Sequence, residues 1–309
     1  MVEIGALDCG SNSTRLLIST VENGTLENLY KEHQVTRLSD SIDKTGRISD
    51  DSKKRFFKVL RKYMRKIEEY EVQEVFCIGT AVFRNSKNSD EVIDEVKKRF
   101  NLDIKIISGE EEGLLTSLGV QSSFKNLQNY LIVDIGGQST ELITDIENKL
   151  DIQSEDIGVV SMSENYFNEN PISIDKERNA TNYFNDIFHD KDYGHRQLIG
   201  VSGTFTSLGS IYLNQNIYDE NEIEKVIISH DSIENIYENL KTLSVPQIIS
   251  RYPSLDPKRA VTITSGLFLV RNLLKKYKIT QLKVSKSDIL EGLIPVSYTH
   301  LTLPTMELV

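Results

Sequence analysis

Two short stretches of the sequence place a carboxylate, a glycine and small hydroxyls in the same order. Asp8-Cys9-Gly10-Ser11-Asn12-Ser13-Thr14-Arg15-Leu16 and Asp134-Ile135-Gly136-Gly137-Gln138-Ser139-Thr140-Glu141-Leu142 match at Asp, the first Gly, Ser, Thr and Leu, all at one offset of 126 residues. Glycine lets backbone N–H groups approach an anion, hydroxyls add donors, and a neighbouring Asp can hold a divalent metal or its water shell. Such a turn therefore cradles phosphate. Asp-x-Gly also makes plain tight hairpins, where Asp, Gly and Ser are common. The repetition at a fixed offset favours the phosphate reading and predicts two similar halves.

Three further segments offer chemistry. Gly200-Val201-Ser202-Gly203-Thr204-Phe205-Thr206 lies between a predicted strand and helix, where backbone donors at a helix start favour an anion; an ordinary capped loop reads equally well. Ser108-Gly109-Glu110-Glu111-Glu112-Gly113 has capping-box spacing at Ser108 and Glu111, which leaves three adjacent glutamates only partly explained. One of the three is a candidate general base, because like charges raise one another's pKa while a helix start lowers it. Arg84 follows a predicted strand end and could serve as a phosphate fork, although most arginines are solvated. The run Lys53 to Lys66 contains eight Lys or Arg. Interleaved with apolar residues, it reads first as a solvated helix face and second as a polyanion dock.

The elements that must position these residues alternate between strand and helix. An apolar run to Leu7, a polar turn from Asp8 to Ser13, Leu16 to Val21 and the hairpin pair Asn23-Gly24 predict a meander. Phe56, Leu60, Tyr63, Ile67 and Tyr70 then recur at helical spacing behind a Ser49 or Asp50 cap. A strand Glu74 to Gly79, a helix Asp90 to Phe100 and a strand Leu102 to Ile107 follow. After the polar stretch Gln121 to Asn129 the strand-turn-strand opening repeats, with a turn at Asn148-Lys149. A strand Gln197 to Val201, helices from Thr204, over Ser232 to Leu243 and over Pro257 to Tyr277, a strand Gln281 to Ser285 and a last short helix complete the pattern. The class is α/β. The aperiodic end, residues 297–309, is set aside from the fold as a non-native or disordered tail.

Length and composition bound the rest. At about 150 residues per domain, 309 residues imply two domains, drawn here at 1–123 and 124–296. A 39% hydrophobic and 27% charged chain is that of a soluble globular enzyme, without a membrane-spanning run or a secretory signal, so a cytoplasmic location is expected. Two cysteines, Cys9 and Cys77, make neither a disulfide framework nor a zinc site. A formal charge of -10 argues against generic nucleic-acid binding. His33, His189, His195, His230 and His300 form no ligand or triad spacing, so a metal here would be oxygen-coordinated, which points to Mg²⁺.

Taken together, the first loop, Arg84 with Asn88, Ile107 to Glu112, Asp134 to Glu141 and the ending Ser285 to Gly292 resemble the exopolyphosphatase and guanosine pentaphosphate phosphohydrolase (Ppx/GppA) family over about residues 2 to 294. The resemblance implies a two-domain actin-like ATPase fold, a duplicated RNase H-like unit, with the active site in the interdomain cleft. It resembles the short members, without a C-terminal HD-type domain. It places the catalytic glutamate on Glu112, which lies 22 positions before Asp134. Water and metal handling falls on Asp134 and Glu141, with Asp8 as a further metal carboxylate. Phosphate binding falls on Gly10, Ser11, Asn12, Ser13 and Arg15, on Arg84, and on Gly136, Gly137, Gln138, Ser139 and Thr140. Gln138 stands where many relatives carry a third Gly, and Lys286 where Asp is usual.

The expected reaction is hydrolysis of the terminal phosphoanhydride of inorganic polyphosphate, with pppGpp as a second substrate, Mg²⁺ as cofactor and no covalent intermediate. A homodimer is compatible with the resemblance, although no residue signals it. Two rivals share the loops: a sugar or acetate-type kinase, for which no acceptor or adenosine signal is visible, and a non-catalytic alarmone or polyphosphate sensor.

Overall fold

The computed structural model describes all residues except 1, 23, 24, 41, 125, 126, 147, 148, 169, 170, 195 and 295–309. The Asn23-Gly24 pair, Asn148, His195 and the terminal tail lie outside the described residues. The chain divides into two compact units, within Met1–Lys125 plus Ser287–Val309 and within Asn126–Lys286. Among the described residues no helix is long and apolar enough to cross a membrane.

The first unit is built on strands β1 (Val2–Cys9), β2 (Ser13–Glu22), β3 (Thr25–Val35), β4 (Glu74–Gly79) and β5 (Lys105–Ile106), in the sheet order β3-β2-β1-β4-β5. β1 to β3 form an antiparallel meander, and β4 and β5 add in parallel. Alternation along β1 sends Leu7 and Cys9 to one side and Ile4 and Ala6 to the other. The first side packs on the helices Asp50–Glu69 and Ser89–Phe100 through Phe56, Leu60, Tyr63, Val92 and Val96. The second packs on the helix Gly109–Ser123 and on helical residues 289–294 through Leu115, Ile289 and Leu290. Covered on both faces, β1 is buried over its last six residues, as a central strand must be.

The second unit holds β6 (Tyr130–Ile135), β7 (Thr140–Ile146), β8 (Lys149–Glu155), β9 (Gln197–Val201), β10 (Ile227–Ser229) and β11 (Gln281–Val284), in the order β10-β11-β9-β6-β7-β8. Read from β8, the run β8-β7-β6-β9-β11 repeats β3-β2-β1-β4-β5, with the same antiparallel and parallel pairings. β10 is an added antiparallel edge. This duplicated α/β unit is the two-domain actin-like fold expected from the sequence.

Several boundaries move. Asp8 and Cys9 belong to β1 rather than to the turn, because they pair with Arg15 and Thr14 of β2. The strand expected over Leu102 to Ile107 shrinks to β5, since Leu102 and Ile104 are spent in the helix-side core. The long helix runs over Ile263–Lys276 rather than from Pro257, because Asp256 folds a turn that accepts from the amides of Lys258 and Arg259. The helix expected from Thr204 begins at Ser202, and the next spans His230–Leu240. Helices Val159–Asn165, Ile174–Ile187 and Val245–Arg251 were not expected. The second domain drawn at 124–296 also gives up its end: from Ser287 the chain rejoins the first unit, where Ile289, Leu290 and Ile294 complete that core.

Candidate active site

In the first unit, antiparallel pairing places Asp8 directly opposite Arg15. Arg15 Nε donates to Asp8 Oδ2 at 2.8 Å, and its Nη1 donates to Asp288 Oδ2. Arg15 is thus held by two carboxylates. Beyond β1 the turn closes with Gly10 N donating to Ser13 O at 3.0 Å. Its carbonyls are engaged, Asn12 O by the amides of Thr36 and Arg37, and Ser11 O by the amide of Ser39. The amides of Ser11 and Asn12 donate to no group among the described residues, nor do Asp8 Oδ1 and Asn12 Oδ1 accept from any. Free amide donors in a turn are what an anion needs.

The acidic run resolves into three environments. Glu110 is exposed at the helix surface. Glu111 completes the capping box, accepting from Ser108 N at 2.9 Å, and pairs with Lys105 at 3.0 Å. Its carboxyl is held below the usual range by that backbone bond and then by Lys105. Glu112 alone turns inward, 9% exposed, and accepts from Arg84 Nη1 at 2.8 Å. The same Nη1 reaches Ile107 O at 2.9 Å. Arg84 is offered by the short helix Ala81–Asn85 that follows β4, so the strand end and the helix start meet at this ion pair.

The second unit repeats the turn with a different charge pairing. Gly136 N donates to Ser139 O at 2.9 Å, the same closing bond as in the first turn, with Gln138 in place. The carbonyls of Gly136 and Gly137 accept from Val159, Val160 and Ser161. Gly158 permits this approach: a Cβ there would lie 2.4 Å from Gly137 C and 2.5 Å from Gln138 N. Asp134 stands opposite Glu141, as Asp8 stands opposite Arg15. Directly opposed residues share one sheet face, so the cation of the first unit is replaced here by a second carboxylate. Both are buried, and Glu141 Oε1 accepts from Ser154 at 2.8 Å. Among the described residues no three His, Cys, Asp or Glu side chains gather as a metal cage. Mg²⁺ binds through one or two carboxylates and keeps several waters, so this pair suits it without a cage.

Two residues escaped the sequence reading. Asp288 lies in the closing motif Ser285 to Gly292 without a local signal of its own, and Lys286, two residues before it, pairs with Glu224 at 3.1 Å. Arg259 packs its guanidinium against Gly203, where a Cβ would lie 1.8 Å from Nη1, and donates to Ser207 Oγ at 3.2 Å. Only the bare glycine hinted at this. Ser202, which precedes it, holds a φ of 68°, a rare state for a side-chain-bearing residue. Cys9 and Cys77 are free thiols whose sulfurs lie 3.6 Å apart; their mutual hydrogen bond, then burial, pushes the Cys9 thiol well up and removes it as a nucleophile.

A sequence model of the Ppx/GppA phosphatase family matches residues 17–299, and the chain belongs to that family. It is 30% identical over 94% of its length to a bifunctional 3-dehydroquinate synthase/phosphatase of Fusobacterium nucleatum, covering 46% of that protein. It is 27% identical over 94% of its length to a guanosine-5'-triphosphate,3'-diphosphate pyrophosphatase of Pseudoalteromonas atlantica, covering 57%. The chain therefore spans about half the length of these curated relatives. A crystal structure of an exopolyphosphatase from Cytophaga hutchinsonii superposes with a TM-score of 0.84 at 26% identity, covering 97% of this chain and 98% of that one.

Proposed function

We propose that the chain hydrolyses the terminal phosphoanhydride of inorganic polyphosphate, and that pppGpp is a second substrate of the same site. The pairing of Glu112 with Arg84 carries the reading. A guanidinium that binds the terminal phosphate brings the adjacent carboxylate within hydrogen-bond reach of a water attacking that phosphorus. Glu112 takes the proton of that water as its oxygen bonds to phosphorus, while the anhydride P–O bond breaks and the shortened chain departs as an anion. Proton handling of this kind contributes about a hundredfold to ten-thousandfold in rate.

The other groups hold and neutralise. The amides of the Gly10 to Ser13 turn bind phosphate oxygens, and the Gly136 to Thr140 turn does the same. Asp134 and Glu141 would hold Mg²⁺, with Asp8 Oδ1 the available acceptor of the first turn. When bound, the ion offsets charge on the transferring phosphoryl group. Arg15, clamped by Asp8 and Asp288, positions the first turn rather than gripping substrate. The relatives support the substrate class: one is described as an exopolyphosphatase and one as a guanosine-5'-triphosphate,3'-diphosphate pyrophosphatase.

A phosphate-release panel with tripolyphosphate, long polyphosphate, pppGpp and ATP, each with and without Mg²⁺, tests the proposal. Free phosphate from polyphosphate or pppGpp, dependent on Mg²⁺ and needing no acceptor, is the expected result. Phosphorylation of a sugar or carboxylate by ATP in place of phosphate release would overturn it.

A further inference from the structure

Four cations of the basic run in the helix Asp50–Glu69, Lys53, Lys54, Lys58 and Arg61, line a groove of their own. With the helix Ser89–Phe100 they enclose about 400 Å³ bordered by Asp50, Lys53, Lys54, Phe57, Lys58, Arg61, Glu95 and Arg99. Both carboxylates are already matched, Asp50 by Lys53 at 2.7 Å and Glu95 by Arg99. Lys54 reaches Asp51 at 3.0 Å. Lys58 and Arg61, both exposed, have no ion-pair or hydrogen-bond partner among the described residues.

The surplus has a direction. Lys54, Lys58, Arg61 and Arg65 follow one another at helical spacing, so their Cα atoms form one stripe over about 16 Å of helix axis. A stripe in which Lys58, Arg61 and Arg65 have no ion-pair partner among the described residues, on a chain of formal charge -10, is a local attractor in a repelling field, fitted to a linear polyanion rather than to a single small anion. The groove provides no stacking surface for bases: Phe57 is 6% exposed, and the Arg99 guanidinium covers its ring at 4.8 Å. Single-stranded nucleic acids depend on such stacking, whereas a chain of bare phosphates needs only charge.

We infer that this groove docks the trailing part of a long inorganic polyphosphate through Lys58 and Arg61, apart from the residues that act on its terminus. The inference rests on the proposed polyphosphate hydrolysis and adds chain-length preference to it. Here Arg61 and Lys58 act as charges, so their neutralisation leaves the chemistry of the chain end untouched.

The test is the affinity of the intact chain carrying Glu112→Gln for fluorescently labelled long-chain polyphosphate, with and without Lys58→Gln and Arg61→Gln, followed by fluorescence anisotropy across a salt series. Both positions are exposed and glutamine keeps the helix. The expected outcome is about tenfold weaker binding of the long chain and a salt dependence shallower by about one phosphate contact for each residue removed. Affinity for tripolyphosphate, measured by competition, stays within about twofold of the parent. Unchanged long-chain affinity in the double variant, with phosphate release from polyphosphate intact in the Glu112 enzyme, overturns the groove alone. An RNA of matched charge displacing the long chain from the parent at lower concentration than polyphosphate itself overturns the choice of ligand. Failure of the Glu112 enzyme to release phosphate from any polyphosphate, with no binding of the long chain, overturns the hydrolase reading and the groove with it.

Discussion

Arg15 donates to Asp8 and Asp288 at once, and the two carboxylates respond in opposite directions. For Asp8, burial dominates and lifts its carboxyl above the usual value despite Arg15. For Asp288, burial also pushes upward, but Arg15, Lys31 and the Leu290 amide together outweigh it and hold the carboxyl below its usual value. Lys31 is itself anchored on Glu291 at 2.7 Å. A depressed carboxyl contributes stability above the unfolded value, about 3.9 for Asp, and that contribution is lost as pH falls through the lower native value. Removing one partner of such a buried pair costs about 3 kcal/mol. Asp288→Asn should therefore be less stable than the parent by about 3 kcal/mol at neutral pH, with the gap closing below about pH 4. Urea unfolding of both proteins at several pH values measures it, and a gap that persists undiminished into strong acid would contradict the ionised role of Asp288.

At the scale of elements, the segment that delivers Asp288 is seated by two glycines. A Cβ on Gly119 would lie 1.8 Å from the Asp288 carbonyl oxygen, and one on Gly292 would lie 1.8 Å from the Leu115 carbonyl oxygen. The helix Gly109–Ser123 and residues 289–294 thus touch backbone to backbone, and no side chain can relieve an added methyl. Overpacking of this kind costs about 1–3 kcal/mol. Gly119→Ala should lower the melting temperature by about 2 °C or more, and should reproduce the lost acid dependence of Asp288→Asn as Asp288 withdraws from Arg15. An unchanged melting curve would mean that the closing segment is not held by this contact. The same contact explains what could be read beforehand. The repeated turns were legible because Asp, Gly, Ser and Thr recur at one offset and local pairing then sets the register, Asp8 to Arg15 and Asp134 to Glu141. The capping box at Ser108 was legible for the same local reason. Asp288 was not, because its meaning depends on Gly119 and Gly292 bringing a distant segment back to the first sheet, and a bare glycine does not announce what packs on it. The helix Ile174–Ile187 was missed because its apolar stripe is thin: only Ala180 and Phe184 are buried.

At the scale of the whole molecule, duplication followed by charge divergence is what makes the two units chemically different. The turns close with the same hydrogen bond, yet the residue opposite the strand-end Asp is Arg15 in one unit and Glu141 in the other. The first unit therefore sets its strand-end carboxylate opposite a cation, while the second sets two carboxylates opposite one another across the ladder. Glu112 belongs to the first unit and Glu141 to the second. If one hydrolysis uses both, the losses on removing each will not multiply, because groups that act as one catalytic unit are strongly non-additive. Glu112→Gln alone should cost about a hundredfold or more in the rate of phosphate release, and Glu141→Gln should cost a comparable factor together with its dependence on Mg²⁺. The double variant should then be little slower than the worse single variant. Rates measured at saturating polyphosphate and Mg²⁺ decide the matter: losses that multiply would mean that the acidic pair of the second unit and the glutamate of the first serve separate events, and the duplicated turns would have to be explained without a shared reaction.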